Sequence, residues 1–338
     1  MIQAQKPYDH SIDVMKAILV IGMVVDHALI LLADNPTRTM TDEFKKTIDL
    51  VSFSAFLFCF GYASWLAYFS KAPSLRRVLP SALRPLIAYF ISAFFYTLFV
   101  ERAYGSEDLL SILLLRELAP FSEFLLAFSL ILILGFLLRK PLARLLENQR
   151  LFFAVTGLLL LTPLIPNSWV QWPSLSLFIG SPKDVASSFP VLQYFPLYLM
   201  GMYFARYEIK PNVWIGLAGI AAFYLCKFFN VTVTRFPPNM IFVIGSMFFT
   251  LTWYAAARAV AQWPLARKWL ASIGVNSLFY LLASNILIFA FRGALPKLGG
   301  AMNLKITLEV SFGILATIYF FTRLVRQQPS ATETSRSS

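Results

Sequence analysis

Long apolar stretches recur along this sequence, and they constrain its fold more than any other feature. A helix needs about 20 predominantly apolar residues to cross the hydrocarbon core of a bilayer. The segments that approach this length are 12–33, 48–70, 79–100, 120–138, 151–167, 190–206, 212–229, 239–260, 270–291 and 306–325. The sequence therefore predicts an all-α, polytopic integral membrane protein with about ten transmembrane helices.

The composition agrees with a membrane protein and argues against a water-soluble one. Of the 338 residues, 58% are hydrophobic and 14% are charged, whereas soluble domains carry about 25% charged residues. The net charge of +12 arises from Lys and Arg placed between the apolar segments, so no nucleic-acid partner is predicted. The two cysteines, Cys59 and Cys226, each lie in an apolar stretch and are expected to act as small buried hydrophobes.

The distribution of basic residues predicts the orientation. Short cytoplasmic loops are enriched in Lys and Arg, and pairs such as Arg139 and Lys140 fall inside when the N-terminus is cytoplasmic. Both termini are then cytoplasmic, with a transmembrane domain over 1–326 and a disordered tail over 327–338. The apolar run 107–118 is too short to span the membrane, so we expect it to lie in the interface or to re-enter.

Ionisable side chains inside the apolar segments are the most informative residues. Each costs roughly 2.5 to 3.5 kcal/mol on insertion scales, so each needs a partner or a wet cavity. The first segment holds four of them, namely Asp13, Lys16, Asp26 and His27. Because Asp26 and His27 interrupt its apolar run, this segment is not expected to be a cleaved signal peptide.

Other charged residues have ordinary structural explanations. Asp49 and Lys227 lie near the ends of predicted spans, where side chains can reach the membrane surface. Arg84 can pair with Glu123 or Asp49 between helices, because buried charges find partners.

His27 lies deep in the first segment, about 22 Å from its inner end at about 1.5 Å per residue. Lys16 precedes it by eleven residues, which places the two on nearly one helix face and about 16 Å apart along the axis. Such a face suits an anionic ligand at one end and proton transfer at the other. Asp26 lies about 100° around the helix from His27. The alternative, a buried histidine satisfied by a neighbouring helix, stays open.

Several runs carry a family resemblance. SIDVMKAILVIGMVVDHALILL, with a basic residue, ten intervening residues and then His, resembles the first helix of the membrane acyltransferase family 3, the polysaccharide O-acetyltransferase and fucose 4-O-acetylase-like proteins. Residues 53–69 and 74–90 of this sequence resemble the family's second and third helices, and residues 195–208 and 273–289 resemble two later spans. The related heparan glucosaminide N-acetyltransferases share the first-helix pattern.

The resemblance implies an enzyme of the bacterial inner membrane that takes an acyl group, most often acetyl, from cytoplasmic acyl-CoA. The acceptor would be a hydroxyl of a cell-envelope glycan or a lipid-linked sugar outside the cytoplasm, and no metal is needed. His27, with Asp26, would be catalytic, acting as a general base or a transient acyl carrier. The CoA phosphates would meet the basic residues Lys16, Arg76, Arg77 and Arg84.

The sequence also departs from the family pattern. Many members have a second histidine in the ninth span, where this chain has Ser284 and Asn285. Two other classes therefore stay open. One is an ion- or proton-coupled transporter that uses the Asp, Lys and His residues of the first segment as a relay; the other is a membrane regulator that has lost catalysis.

Overall fold

The fold was analysed in a computed structural model of the chain. The structure describes residues 9–34, 39–69, 75–103, 105–116, 118–165, 177–180, 189–235, 238–297 and 300–327. Within these ranges the chain is helical and forms no β-strand, which confirms the predicted all-α class. The tail predicted over 327–338 lies, after Gln327, outside the described residues.

The helices follow the apolar segments in order. They are α1 Ser11–Leu32, α2 Thr39–Ser64, α3 Leu75–Tyr96, α4 Ser106–Leu113, α5 Glu123–Leu137, α6 Arg139–Glu147, α7 Gln149–Leu160, α8 Val191–Tyr207, α9 Val213–Phe228, α10 Met240–Ala261, α11 Pro264–Val275, α12 Ser277–Ala294 and α13 Leu304–Gln327. One π-helical turn extends α2 over Trp65–Phe69, and another extends α3 over Thr97–Glu101. Each predicted segment coincides with at least one helix.

Two helix boundaries differ from the sequence prediction. The helix predicted from 48 begins at Thr39. Hydropathy does not mark its first turns because they are polar, and ion pairs of Lys46 with Asp42 and Glu43 stabilise them as helix. The segment predicted over 270–291 is two helices, since Asn276 leaves helical geometry between α11 and α12. Its side-chain amide donates to the Ser272 carbonyl, 2.7 Å away.

Among the described residues, six helices are long and apolar enough to cross a membrane, or seven if the bent pair α5 and α6 forms one span. The axes of that pair differ by 76°. Two further apolar helices, over Gln149–Leu164 and Val213–Phe228, are shorter. These helices agree with an integral membrane protein, whereas the count of ten spans and the cytoplasmic termini stay predictions.

Helix α1 occupies the centre of the bundle. It packs against α2, α10, α11, α12 and α13. Side chains all round α1 are buried, including Val14 and Met15 near one end and Ala28 and Leu32 near the other. A helix that is apolar on all sides belongs inside a bundle, so the polar residues of α1 face other helices rather than lipid.

Close contact between α2 and α8 depends on two glycines. A Cβ atom on Gly61 would lie 1.9 Å from the Tyr198 carbonyl oxygen, and one on Gly201 would lie 2.0 Å from the Phe58 carbonyl oxygen. No side chain fits at these distances, so the two backbones approach as small residues allow in membrane helix pairs. This contact fixes α2, which lines the site described next.

Candidate functional site

His27 of α1 is buried against α12. Its Nδ1 atom lies 2.8 Å from Oδ1 of Asn285, and the two residues are 8% and 1% exposed. The Phe121 ring meets the imidazole edge-on, with ring centroids 5.0 Å apart. A hydrogen bond and a ring contact therefore hold the imidazole in one orientation.

The other contacts of Asn285 determine which nitrogen of His27 carries the proton. Asn285 Nδ2 donates to the Phe121 carbonyl oxygen at 3.1 Å and lies 3.4 Å from Ser92 Oγ. A carbonyl oxygen can only accept, so the amide nitrogen of Asn285 faces Phe121 and its oxygen faces His27. The Nδ1 of His27 is then the donor, and Nε2 of the neutral ring keeps its lone pair.

A cavity of about 230 Å³ adjoins the imidazole; we call it the His27 cavity. Its polar lining comes from α1, α2, the start of α5 and the segment between α9 and α10, and aromatic rings cover much of the remainder. The polar lining residues are Asp26, His27, Asp49, Ser52, Glu123 and Arg235. An enclosed, mostly apolar space with a few convergent polar groups is typical of a ligand site.

The buried polar atoms of this cavity that have no hydrogen-bond partner among the described residues include Oδ1 of Asp26 and Oγ of Ser52. Asp26 is 4% exposed and Ser52 is 5% exposed. A buried polar atom left unsatisfied costs about 1 to 3 kcal/mol, so native proteins satisfy such atoms with a ligand or a water molecule. Both atoms are therefore candidates for ligand contacts.

Asp26 lines the same cavity as His27 but is not the Nδ1 partner of the imidazole, which is Asn285. Neighbouring residues of a helix point about 100° apart, so Asp26 faces the cavity from a different side. The structure thus brings the two residues predicted as catalytic together, while the residue that orients His27 comes from α12.

Asp49 forms an ion pair with Arg235, which lies between α9 and α10. The sequence analysis placed Asp49 near the end of a predicted span; in the structure it lies within α2, which begins at Thr39, and its side chain is 28% exposed. Among the described residues Asp49 pairs with Arg235 and not with Arg84.

Three of the basic residues predicted to bind CoA phosphates, Lys16, Arg76 and Arg84, do not line the His27 cavity. Lys16, at the opposite end of α1, is 22% exposed, and its Nζ lies 2.7 Å from the carboxylate of Asp13, which is 1% exposed. Arg76 and Arg84 are exposed on α3. The side chain of Arg77 lies outside the described part of the structure.

The sequence prediction missed three residues of the site: Ser52, Arg235 and Asn285. Asn285 lies, with Ser284, in the region where many family members have a second histidine, and its amide oxygen accepts a hydrogen bond from His27. Ser52 is an uncharged residue of an apolar helix, and only ionisable residues were predicted to form the site. A hydroxyl group within an apolar segment is the signal that could have identified it. Arg235 follows α9 in a connecting segment, so hydropathy did not mark it.

The long apolar helices indicate an integral membrane protein, here with an oriented histidine beside a mostly apolar cavity, and comparison with known proteins gives the family. The family model described as "Acyltransferase domain" matches residues 9–324. The chain belongs to acyltransferase family 3, a family of membrane acyltransferases. No curated protein and no solved structure matches the sequence.

Proposed function

We propose that the protein transfers an acyl group, most often acetyl, from acyl-CoA to a hydroxyl group of a glycan or lipid-linked sugar in the bacterial cell envelope. The observation that carries this proposal is His27, whose Nε2 lone pair is available because Asn285 accepts a hydrogen bond from Nδ1. Family membership supports acyl transfer as the reaction class.

In the proposed reaction, His27 acts as the general base. Nε2 takes the proton of the acceptor hydroxyl as its oxygen attacks the thioester carbonyl carbon. The tetrahedral intermediate collapses with cleavage of the carbon–sulfur bond, and the CoA thiolate takes the proton back from the imidazolium. The new ester and free CoA leave, and His27 returns to its starting state.

The two unpartnered polar atoms have roles in this scheme. The Ser52 hydroxyl donates a hydrogen bond to the thioester oxygen, where negative charge develops in the transition state. Asp26 accepts a hydrogen bond from an acceptor hydroxyl and so orients the sugar. Both roles follow from the burial of these atoms in the His27 cavity without another partner in the described ranges.

The acyl-CoA donor is proposed to approach from the other end of α1. Its phosphates would contact Lys16 and the arginines at the start of α3, and its pantetheine arm would run along α1 toward His27. Lys16 and His27 lie about 16 Å apart along the helix axis. With the N-terminus in the cytoplasm, this arrangement places the donor on the cytoplasmic side and the acceptor on the opposite side.

The packing of α1 argues for an enzyme rather than the transporter that the sequence left open. A relay would have to pass along α1 from Lys16 to His27, but Leu19, Val20, Met23 and Val24 between them are buried and apolar. Lys16 is also compensated by Asp13.

The test incubates membranes that contain the protein with radiolabelled acetyl-CoA and measures label in the extracted glycan and glycolipid fractions. We expect label with the wild-type protein and a loss of about a thousandfold with His27→Ala. His10→Ala is the matched control, because His10 is the other histidine of the chain and does not line the His27 cavity. Equal labelling by wild type and a well-folded His27→Ala protein would refute the role of His27.

A further inference from the structure

A second cavity, of about 220 Å³, lies beside the His27 cavity; we call it the outer cavity. It is bounded by α2, α9, the start of α10 and the connection between α9 and α10. The lining side chains of Glu43, Lys46, Tyr224 and Lys227 are exposed, so the outer cavity opens to the surface of the protein. At about 30 Å³ per water molecule its volume corresponds to about seven waters, which suits one small polar ring.

Asp49 and Arg235 line both cavities. Their ion pair therefore forms a wall shared by the outer cavity and the His27 cavity. The Asp49 side chain is 28% exposed and the Arg235 side chain is 25% exposed, so both groups remain accessible. A molecule that enters through the outer cavity meets this ion pair before it reaches His27.

The segment that carries Arg235 is fixed at its base. Asn239 caps α10 by accepting a hydrogen bond from the Phe242 amide at 2.9 Å, and its own side-chain amide donates to the Thr232 carbonyl at 2.7 Å. The Arg235 guanidinium also lies 5.7 Å from the centre of the Phe189 ring. The arginine is thus held at the wall before any ligand arrives, which lowers the entropic cost of binding.

Most charges of the outer cavity are paired. Lys46 pairs with Asp42 and Glu43, Arg235 pairs with Asp49, and the Lys227 ammonium lies over the Tyr224 ring. Such a lining offers hydrogen-bond donors and acceptors together. Hydroxyl groups use such a lining well, because each can donate to a carboxylate and accept from a guanidinium. The apolar base, formed by Phe223 and its neighbours, suits the carbon face of a ring.

We infer that the outer cavity binds the acceptor sugar, with hydroxyls of one ring bridging Asp49 and Arg235 and the reacting hydroxyl directed toward His27. This inference rests on the proposed acyl transfer and adds the position and chemical class of the acceptor site. Asp49 and Arg235 become specificity-determining residues for the sugar, while His27 and Ser52 contact the reacting atoms.

The first test is a protection experiment on purified full-length protein. Thr47, which lines the outer cavity, is replaced by Cys in a Cys226→Ser background, and Cys59 is retained because it is buried. A charged maleimide labels Cys at 47, and the glycan or glycolipid fraction that accepts acetyl groups from the wild-type enzyme is added as the competing probe. We expect the fraction to slow labelling about fivefold or more when it occupies most of the sites.

The matched control for this test is Ser106→Cys in the same background. Ser106 is exposed at the start of α4, outside the candidate membrane spans, and lines neither cavity. The fraction should leave its labelling rate unchanged. Unprotected Cys at 47, or equal protection at both positions, would overturn the inference.

The second test compares kinetic constants. Asp49→Asn and Arg235→Lys should each raise the KM for the acceptor fraction about tenfold or more. Asp49→Asn removes the charged acceptor, and Arg235→Lys removes the planar fork of donors that can contact the carboxylate and a hydroxyl together. The KM for acetyl-CoA should stay unchanged. Lys305→Gln is the matched control, since it removes a cation from an exposed ion pair with Glu309 on α13.

The outcomes separate this inference from the proposed function. If the wild-type protein transfers no label, the proposed function fails and the inference falls with it. If transfer depends on His27 but neither Asp49→Asn nor Arg235→Lys changes the acceptor KM, the proposed function stands and the inference is wrong.

Discussion

The two ends of α1 differ in whether their buried polar groups have partners. At one end, Lys16 is compensated by the buried carboxylate of Asp13. At the other end, Asp26 and Ser52 present buried polar atoms that have no partner in the described ranges, beside a histidine with an available Nε2. A compensated pair already satisfies the cost of burial, whereas an unsatisfied cluster in a cavity requires a ligand or water. The comparison therefore supports the proposal that the chemistry takes place at the His27 end of the helix.

The largest effect is expected when the side chain that orients His27 is removed. Asn285→Ala leaves Nδ1 without its acceptor, so the ring can rotate or change tautomer, and we expect kcat to fall about a thousandfold. The KM for acetyl-CoA should change little, because Asn285 contacts no proposed donor site. Steady-state kinetics on purified protein measures both constants.

Asn285→Asp provides the matched variant. Its carboxylate still accepts from Nδ1 of His27, but its second oxygen faces the Phe121 carbonyl in place of the amide donor. We expect kcat between those of the wild type and Asn285→Ala, with lowered thermal stability. A wild-type kcat in a folded Asn285→Ala protein would contradict the orienting role.

A smaller effect is expected from Ser52→Ala. If the hydroxyl donates to the thioester oxygen in the transition state, its loss should lower kcat about a hundredfold. Ser52→Thr keeps the hydroxyl and should retain more activity. If both variants behave alike, packing at α2 and not the hydroxyl group accounts for the change.

The smallest effect is expected at the compensated end of α1. Lys16→Gln removes the partly exposed cation that is proposed to contact a CoA phosphate, a contact worth up to about 1 kcal/mol. The KM for acetyl-CoA should therefore rise about fivefold, with kcat unchanged. The substitution also takes the ammonium away from the buried Asp13 carboxylate, so the variant should be less stable to heat. A large loss of kcat with an unchanged KM would show that both ends of α1 take part in the chemistry.

The sequence predicted the helices better than it predicted the site. Hydropathy marked every long helix, because lipid-exposed and core helices both need long apolar runs. Hydropathy did not predict that α2 begins at Thr39, because the first residues of that helix are polar and charged. It also did not predict that one apolar run contains two helices separated at Asn276.

Within the site, the sequence identified His27 and Asp26 because ionisable residues in apolar segments are conspicuous. It did not identify Asn285 or Arg235 as their neighbours. Asn285 contacts His27 and Arg235 pairs with Asp49. Both contacts join residues far apart in the chain, and helix periodicity carries no information about such contacts. Asn285 and Ser52 are also uncharged, so a search for charges passed over them.

The central claim is that His27 presents Nε2 as a base because Nδ1 carries the proton. Nitrogen NMR on protein labelled with ¹⁵N-histidine tests it directly, since the chain has two histidines and His10→Ala assigns the signals. At neutral pH the account predicts a protonated Nδ1 and an unprotonated Nε2 for His27, and loss of this pattern in Asn285→Ala. A proton on Nε2, or an imidazolium, in the wild-type protein would contradict it.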